Sequence, residues 1–99
     1  MRPIHAAQLD KSRPVVVLTR ELVRPYLAQV TVAPITTTIR GLSTEVPVGP
    51  ANGLGQASVI SCDNIVTVPK TALGRKIGYL LPSQEADLTK AIYATFDLD

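Results

Sequence analysis

The sequence predicts a mostly β domain of the α+β class: a small antiparallel β-barrel with one C-terminal helix packed on it. Three observations carry this. Short apolar runs rich in β-branched residues recur between turn signals, as in "VVVLT" and "QVTVAPI". The stretch "GPANGLG", Gly49 to Gly55, concentrates proline, Asn-Gly and glycine, which is turn chemistry. Helical spacing appears in the tail, where Leu88, Ala91, Ile92 and Phe96 recur on one face.

The elements follow in order. Residues 4–9 suit a short first strand, and Lys11-Ser12-Arg13-Pro14 a tight turn after it. Residues 15–19 read as a central strand. Residues 21–28 contain Pro25 and read as a loop with a short turn at most. Residues 29–35, 44–48 and 57–62 are the next strands. "PKTALGR", Pro69 to Arg75, reads as a helical turn closed by Gly74. Residues 76–81 form the last strand, for five or six in all. Pro82-Ser83 then starts the helix, with Ser83 as N-cap and Glu85 and Asp87 in the first turn.

The bulk numbers exclude several function classes. A 99-residue chain is one domain by size, and its core is thin enough that a partner subunit would help. This predicts a homodimer, with the Phe96/Leu98 end as contact. Three Tyr, one Phe and no Trp argue against an aromatic platform for single-stranded nucleic acid. A net charge of +2 permits a nucleic-acid ligand without demanding one. One Cys and one His exclude an ordinary zinc site. No apolar run reaches the roughly 18–20 residues that span a membrane, so no membrane is expected. The lone cysteine and the lack of a signal peptide point to the cytoplasm.

Two strand ends bear groups suited to an anion. "RPVVVLTR" opens on Arg13, which is either a solvated charge or a rigid donor fork for phosphate. "VTVAPITTTIRG" runs into Thr36-Thr37-Thr38. These are either ordinary β-formers or hydroxyl donors to the same anion. Alternation puts Thr36 and Thr38 on one face and Thr37 on the other. Asp63-Asn64 is either a capped turn or a polar reader of base edges. His5 reads as a half-buried strand residue, and Cys62 as a small core hydrophobe.

These two stretches, followed by "CDNIVTVPKTALGRKIGYLLPSQEADLTKAIYATFDL", resemble the MazF/PemK/Kid family of toxin endoribonucleases. The resemblance covers nearly the whole chain after its first few residues and implies one toxin domain over residues 1–99. It implies an SH3-like barrel with a C-terminal helix, working as a homodimer. It also implies metal-independent, sequence-specific cleavage of single-stranded RNA without a cofactor. A cognate antitoxin would block the groove with an acidic disordered segment. Carried over residue by residue, Arg13 of the Arg-Pro pair is catalytic and Thr36 is its partner, with Asp63 of Cys-Asp-Asn as a third candidate. Arg20, Thr38, Arg40 and Asn64 are expected RNA contacts.

The chain departs from the family pattern in places. Asp10-Lys11-Ser12 replace a longer loop before Arg-Pro, which implies the loss of an acid that some members bring to the site. Val66 and Ser61 stand where relatives carry arginines. The implied chemistry is attack of the ribose 2′-OH on phosphorus, with Arg13 stabilising the phosphorane and Thr36 fixing the phosphate; the general base is unassigned. Two rival readings fit the same residues: a CcdB-like gyrase-binding toxin, and a degenerate member that only binds antitoxin or RNA.

Overall fold

The β-branched runs form the middle of a strongly curled antiparallel sheet. The computed structural model describes residues 1–98. Seven strands precede one helix: β1 (Pro3–Gln8), β2 (Ser12–Val17), β3 (Gln29–Thr36), β4 (Glu45–Val48), β5 (Ser58–Ser61), β6 (Val66–Pro69), β7 (Leu73–Tyr79) and α1 (Pro82–Phe96). The spatial order is β4-β5-β3-β2-β1-β7, and β6 also pairs with β3.

β3 is the hub. Its first half, Gln29 to Val32, pairs with β6, and its last residues, Ile35 and Thr36, pair with β5. Its middle, Val32 to Pro34, pairs with β2. This is a small, open antiparallel barrel with a C-terminal helix, as the sequence predicts.

The Val15-Val16-Val17 run is buried throughout because both faces of the sheet are covered. Val16 points into the main core with Ile4, Ala33, Ile35 and Ile60, closed from below by Leu80 and by Leu88 and Ala91 of α1. Val15 and Val17 point the other way, into a second core with Ala7, Val30, Val32 and Val68.

Several local expectations are corrected. The chain turns one step earlier than Lys11–Pro14: Leu9 N–H donates to Lys11 O at 3.1 Å, and β2 already begins at Ser12. Arg13 is thus a strand residue, paired with Ala7 of β1. β6 is a seventh strand, beyond the five or six predicted. The helical turn after it is a single 3-10 turn, Lys70–Ala72, and Gly74 belongs to β7 instead of closing that turn.

The helix starts at Leu81 and not at Ser83. Pro82 takes the first helical position, where its missing N–H costs nothing. The Leu81 N–H donates to Gln84 Oε1 at 2.9 Å. Gln84 also pairs amide to amide with buried Asn52, whose Nδ2 donates to Gln84 Oε1 at 2.6 Å. Asn52 further takes the Gly49 N–H and donates to Tyr79 O, so one buried amide ties the 49–53 turn, β7 and α1 together.

Candidate active site

The β2–β3 ladder ends at Val15↔Pro34. Next along β2 is Pro14, and Pro34 itself has no N–H, so neither ring can donate to a further rung. The strands part there, and a groove of about 750 Å³ opens. Continuing the register past the ladder sets Arg13 level with Thr36. Alternation puts both on the face that carries Val15 and Val32, where the second core gives way to the groove. Both line it.

Arg13 is held edge-on by Asp10. Its Nε and Nη2 donate to the two carboxylate oxygens at 3.0 and 3.2 Å. The hydrogen bond and charge of Arg13 lower the Asp10 pKa below the ordinary carboxylate value, and Asp10 in turn raises that of Arg13. A guanidinium has five N–H donors, so one edge of the fork remains for a phosphate. The short loop thus still brings a carboxylate to the groove, Asp10. Its signal in the sequence was the spacing Asp10-x-x-Arg13 across a tight turn.

Thr36 ends β3. Its Oγ1 accepts the Thr38 N–H at 3.1 Å, which leaves the hydroxyl proton free to donate elsewhere. Thr38 also lines the groove.

The far wall comes from the 3-10 turn Cys62–Asn64 after β5. Asp63 and Asn64 are exposed and line the groove. Thr44 Oγ1 donates to Asp63 Oδ2 at 2.7 Å, and Asn64 Nδ2 donates to Ser61 Oγ at 2.8 Å. Arg40 lines the groove from the connection between β3 and β4. That connection is tied down by Glu45, which no sequence pattern marks as a site residue.

Arg20 does not join this cluster. It borders a separate depression of about 540 Å³ with Leu18, Val23 and Leu27. The groove holds Lys11, Arg13 and Arg40 against Asp10, Glu45 and Asp63. Charges of both signs balance, so any anion would be held by placement of single donors more than by a general positive field.

His5 is half-buried in β1, with Nδ1 3.1 Å from Gly74 O. Cys62 is 1% exposed in the main core, and burial together with the Asp63 charge pushes its pKa up to about 11. Such a thiol is no nucleophile near neutral pH. Among the described residues no group of three His, Cys, Asp or Glu is arranged to hold a metal, and no helix is long and apolar enough to cross a membrane.

Comparison with known proteins bears on the family and the fold. The family model for the PemK-like, MazF-like toxin of type II toxin–antitoxin systems matches residues 2–96. The endoribonuclease MazF3 of Mycobacterium tuberculosis is 69% identical over 99 residues, covering 100% of this chain and 96% of that protein. The probable endoribonuclease MazF5 of the same species is 35% identical over 86 residues, 86% of this chain and 79% of that one. The solved structure of the Mycobacterium tuberculosis toxin MazF-mt6 superposes with a TM-score of 0.97 at 68% identity, covering 99% of each chain. An Arg-Pro strand beside a threonine-ended strand on a curled sheet with one terminal helix, and these matches along almost the full length, lead to one conclusion: the chain belongs to the PemK/MazF family of type II toxin–antitoxin toxins.

Proposed function

We propose that this toxin is a sequence-specific endoribonuclease that cuts single-stranded RNA without a metal or other cofactor, one toxin domain spanning residues 1–99. What supports this reading most is that Arg13 and Thr36 both line one groove, just past the last β2–β3 rung at Val15 and Pro34. A phosphodiester seated there meets the free edge of the Arg13 fork and the Thr36 hydroxyl.

The chemistry is transesterification. The ribose 2′-O bonds to the adjacent phosphorus as the bond from phosphorus to the 5′-oxygen breaks. The 2′-OH gives up its proton, the leaving 5′-oxygen gains one, and a 2′,3′-cyclic phosphate remains. Arg13 stabilises the charge that develops on the phosphorane oxygens. Thr36 holds the phosphate so that the attacking and leaving oxygens lie in line. Asp10 keeps the guanidinium in one orientation. Asp63, fixed by Thr44, is the carboxylate of the opposite wall. Requiring a 2′-OH selects RNA over DNA.

Arg40, Thr38 and Asn64 contact the RNA along the groove. Arg20, outside it, is left as a distal contact to flanking backbone. Toxins of type II systems pair with protein antitoxins, and an acidic disordered segment suits the donors of this groove. The exposed Tyr93, Phe96 and Leu98 at the end of α1 suit a homodimer contact. The reaction belongs in the cytoplasm, where single-stranded RNA is abundant. A gyrase-binding toxin on the same barrel has no use for the Arg13–Thr36 pair, so that rival is not favoured.

The test is cleavage of a long single-stranded RNA in excess EDTA, wild type beside Arg13→Ala. Discrete fragments with 5′-OH ends, absent with Arg13→Ala, support the reading. A folded wild-type protein that leaves the RNA intact overturns it.

A further inference from the structure

Glu45 opens β4 and turns back under the irregular connection 37–44. One of its oxygens, Oε1, accepts three consecutive backbone N–H groups: Arg40 at 3.1 Å, Gly41 at 2.9 Å and Leu42 at 3.2 Å. Successive amides converge on one point only if the chain changes hand between them, and Gly41 provides this with φ +74°. A Cβ on Gly41 would meet nothing within 4 Å, so its dihedral angle is what matters and not its lack of a side chain. This is an anion nest whose anion is supplied by the chain itself. Further ties are the Glu45 N–H to Leu42 O, at 3.1 Å, and the Thr44–Asp63 bond.

The connection carries Arg40 and Leu42 into the lining of the groove that Arg13 also lines. Leu42 is 47% exposed, and Ile39, next to Arg40 in the chain but outside the lining, is 55% exposed. A segment with so little regular structure would otherwise be ordered at the expense of ligand affinity. We propose that Glu45 is a positioning residue for the RNA substrate: its carboxylate freezes the 40–42 amides, so that Arg40 and Leu42 already stand in the rim when RNA arrives. The inference rests on the ribonuclease reading above. It makes Glu45 a determinant of substrate binding and not of the chemical step.

The experiment compares wild type, Glu45→Ala and Glu45→Gln. The probe is a single-stranded RNA oligonucleotide carrying the sequence that wild type cuts, cleaved in EDTA. Amide spectra of 15N-labelled protein follow residues 40–42. Glu45→Ala is expected to raise KM about tenfold with kcat within about twofold of wild type, because binding has to order the rim. Glu45→Gln keeps an acceptor oxygen and recovers most of the loss. The Arg40, Gly41 and Leu42 amide signals shift in Glu45→Ala while those of the strands hold.

An unchanged KM in Glu45→Ala overturns the proposal. So does a fall in kcat at constant KM, which reports lost folded enzyme. Tighter RNA binding by Glu45→Ala also overturns it, by making Glu45 a competitor for a phosphate site. A wild type that cuts no RNA, with the amide shifts as described, sinks the ribonuclease reading and the RNA role with it; the anchoring of the loop would still be measured.

Discussion

Arg13 and Asp10 meet edge to edge: two guanidinium nitrogens face two oxygens of one carboxylate, at 3.0 and 3.2 Å, across a tight turn. The pair sits on the rim of the groove, and one side of the Arg13 fork stays open.

The Asp10 carboxyl should therefore titrate low. Its pKa in the folded protein is depressed, first by the hydrogen bond from Arg13. Its contribution to stability is present above the ordinary carboxylate pKa of about 4 and is lost as pH falls through the lower folded value. A 13C NMR titration of the side-chain carboxyl reads this directly. The midpoint should lie below the ordinary value in wild type and rise towards it in Arg13→Ala. Equal midpoints in the two proteins would show that the ion pair does not form in solution. Asp10→Asn should lower kcat/KM by roughly ten- to a hundredfold, by loosening the Arg13 orientation.

The two outer arginines should behave differently. Arg40 lines the groove and Arg20 does not. Arg40→Ala should weaken RNA binding several-fold and reduce the salt dependence of binding by about one ion. Arg20→Ala should change both far less. Fluorescence anisotropy with a labelled single-stranded RNA at several salt concentrations separates them, and equal effects would place RNA outside the groove.

Cys62 should resist alkylation in the folded protein and react on unfolding. Its pKa in the fold is about 11, raised first by burial and then by the Asp63 charge. A raised thiol pKa stabilises the fold fully below the unfolded value, about 8.5–9, and that part fades as pH climbs towards 11. Between pH 8 and pH 10.5, wild type should lose roughly 2 kcal/mol more stability than Cys62→Ala, at about 1.4 kcal/mol per pH unit. Urea unfolding of both proteins at both pH values checks it; parallel losses would contradict it.

Gly78 should tolerate no side chain. A Cβ there would lie 2.1 Å from Asn52 O, and the backbone of the 49–53 turn cannot retreat without breaking the Asn52–Gln84 pairing. Gly78→Ala is expected to cost about 3 kcal/mol or more. Gly55→Ala, where a Cβ meets nothing within 4 Å, should cost under about 1 kcal/mol. Thermal melts of the two variants decide this; similar Tm values would show that the turn gives way.

The sequence announced some of this and hid the rest, for physical reasons. The valine run at 15–17 was legible because it is buried on both faces, so burial alone marks it. Thr36 and Arg13 were legible as candidates because strand alternation and the Arg-Pro pair are local. β6 was not: Val66 and Thr67 are exposed and Val68 alone is buried, so the apolar signal shrinks to one residue. The start of β2 was missed because Arg13-Pro14 reads as a breaker. Pro14 is tolerated because the ladder to β3 has already ended beside it. Ser83 looked like a cap, but Pro82 before it already satisfies the first helical position. Asp10 and Glu45 act through groups three to five residues away across turns, and no periodicity reports that.

The pairing of β1 with β7 joins the earliest and latest strands of the chain, Ile4 to Gly78 and His5 to Lys76. Every residue of the groove, from Leu9 to Val66, leaves the ribosome before the strand that closes the sheet. Long-range closure of this kind is slow and comes late. The growing chain thus carries Arg13 and Thr36 for most of its synthesis without the framework that fixes them. A chain that stops before Leu73 would therefore hold every groove residue and still lack the last strand that closes the sheet.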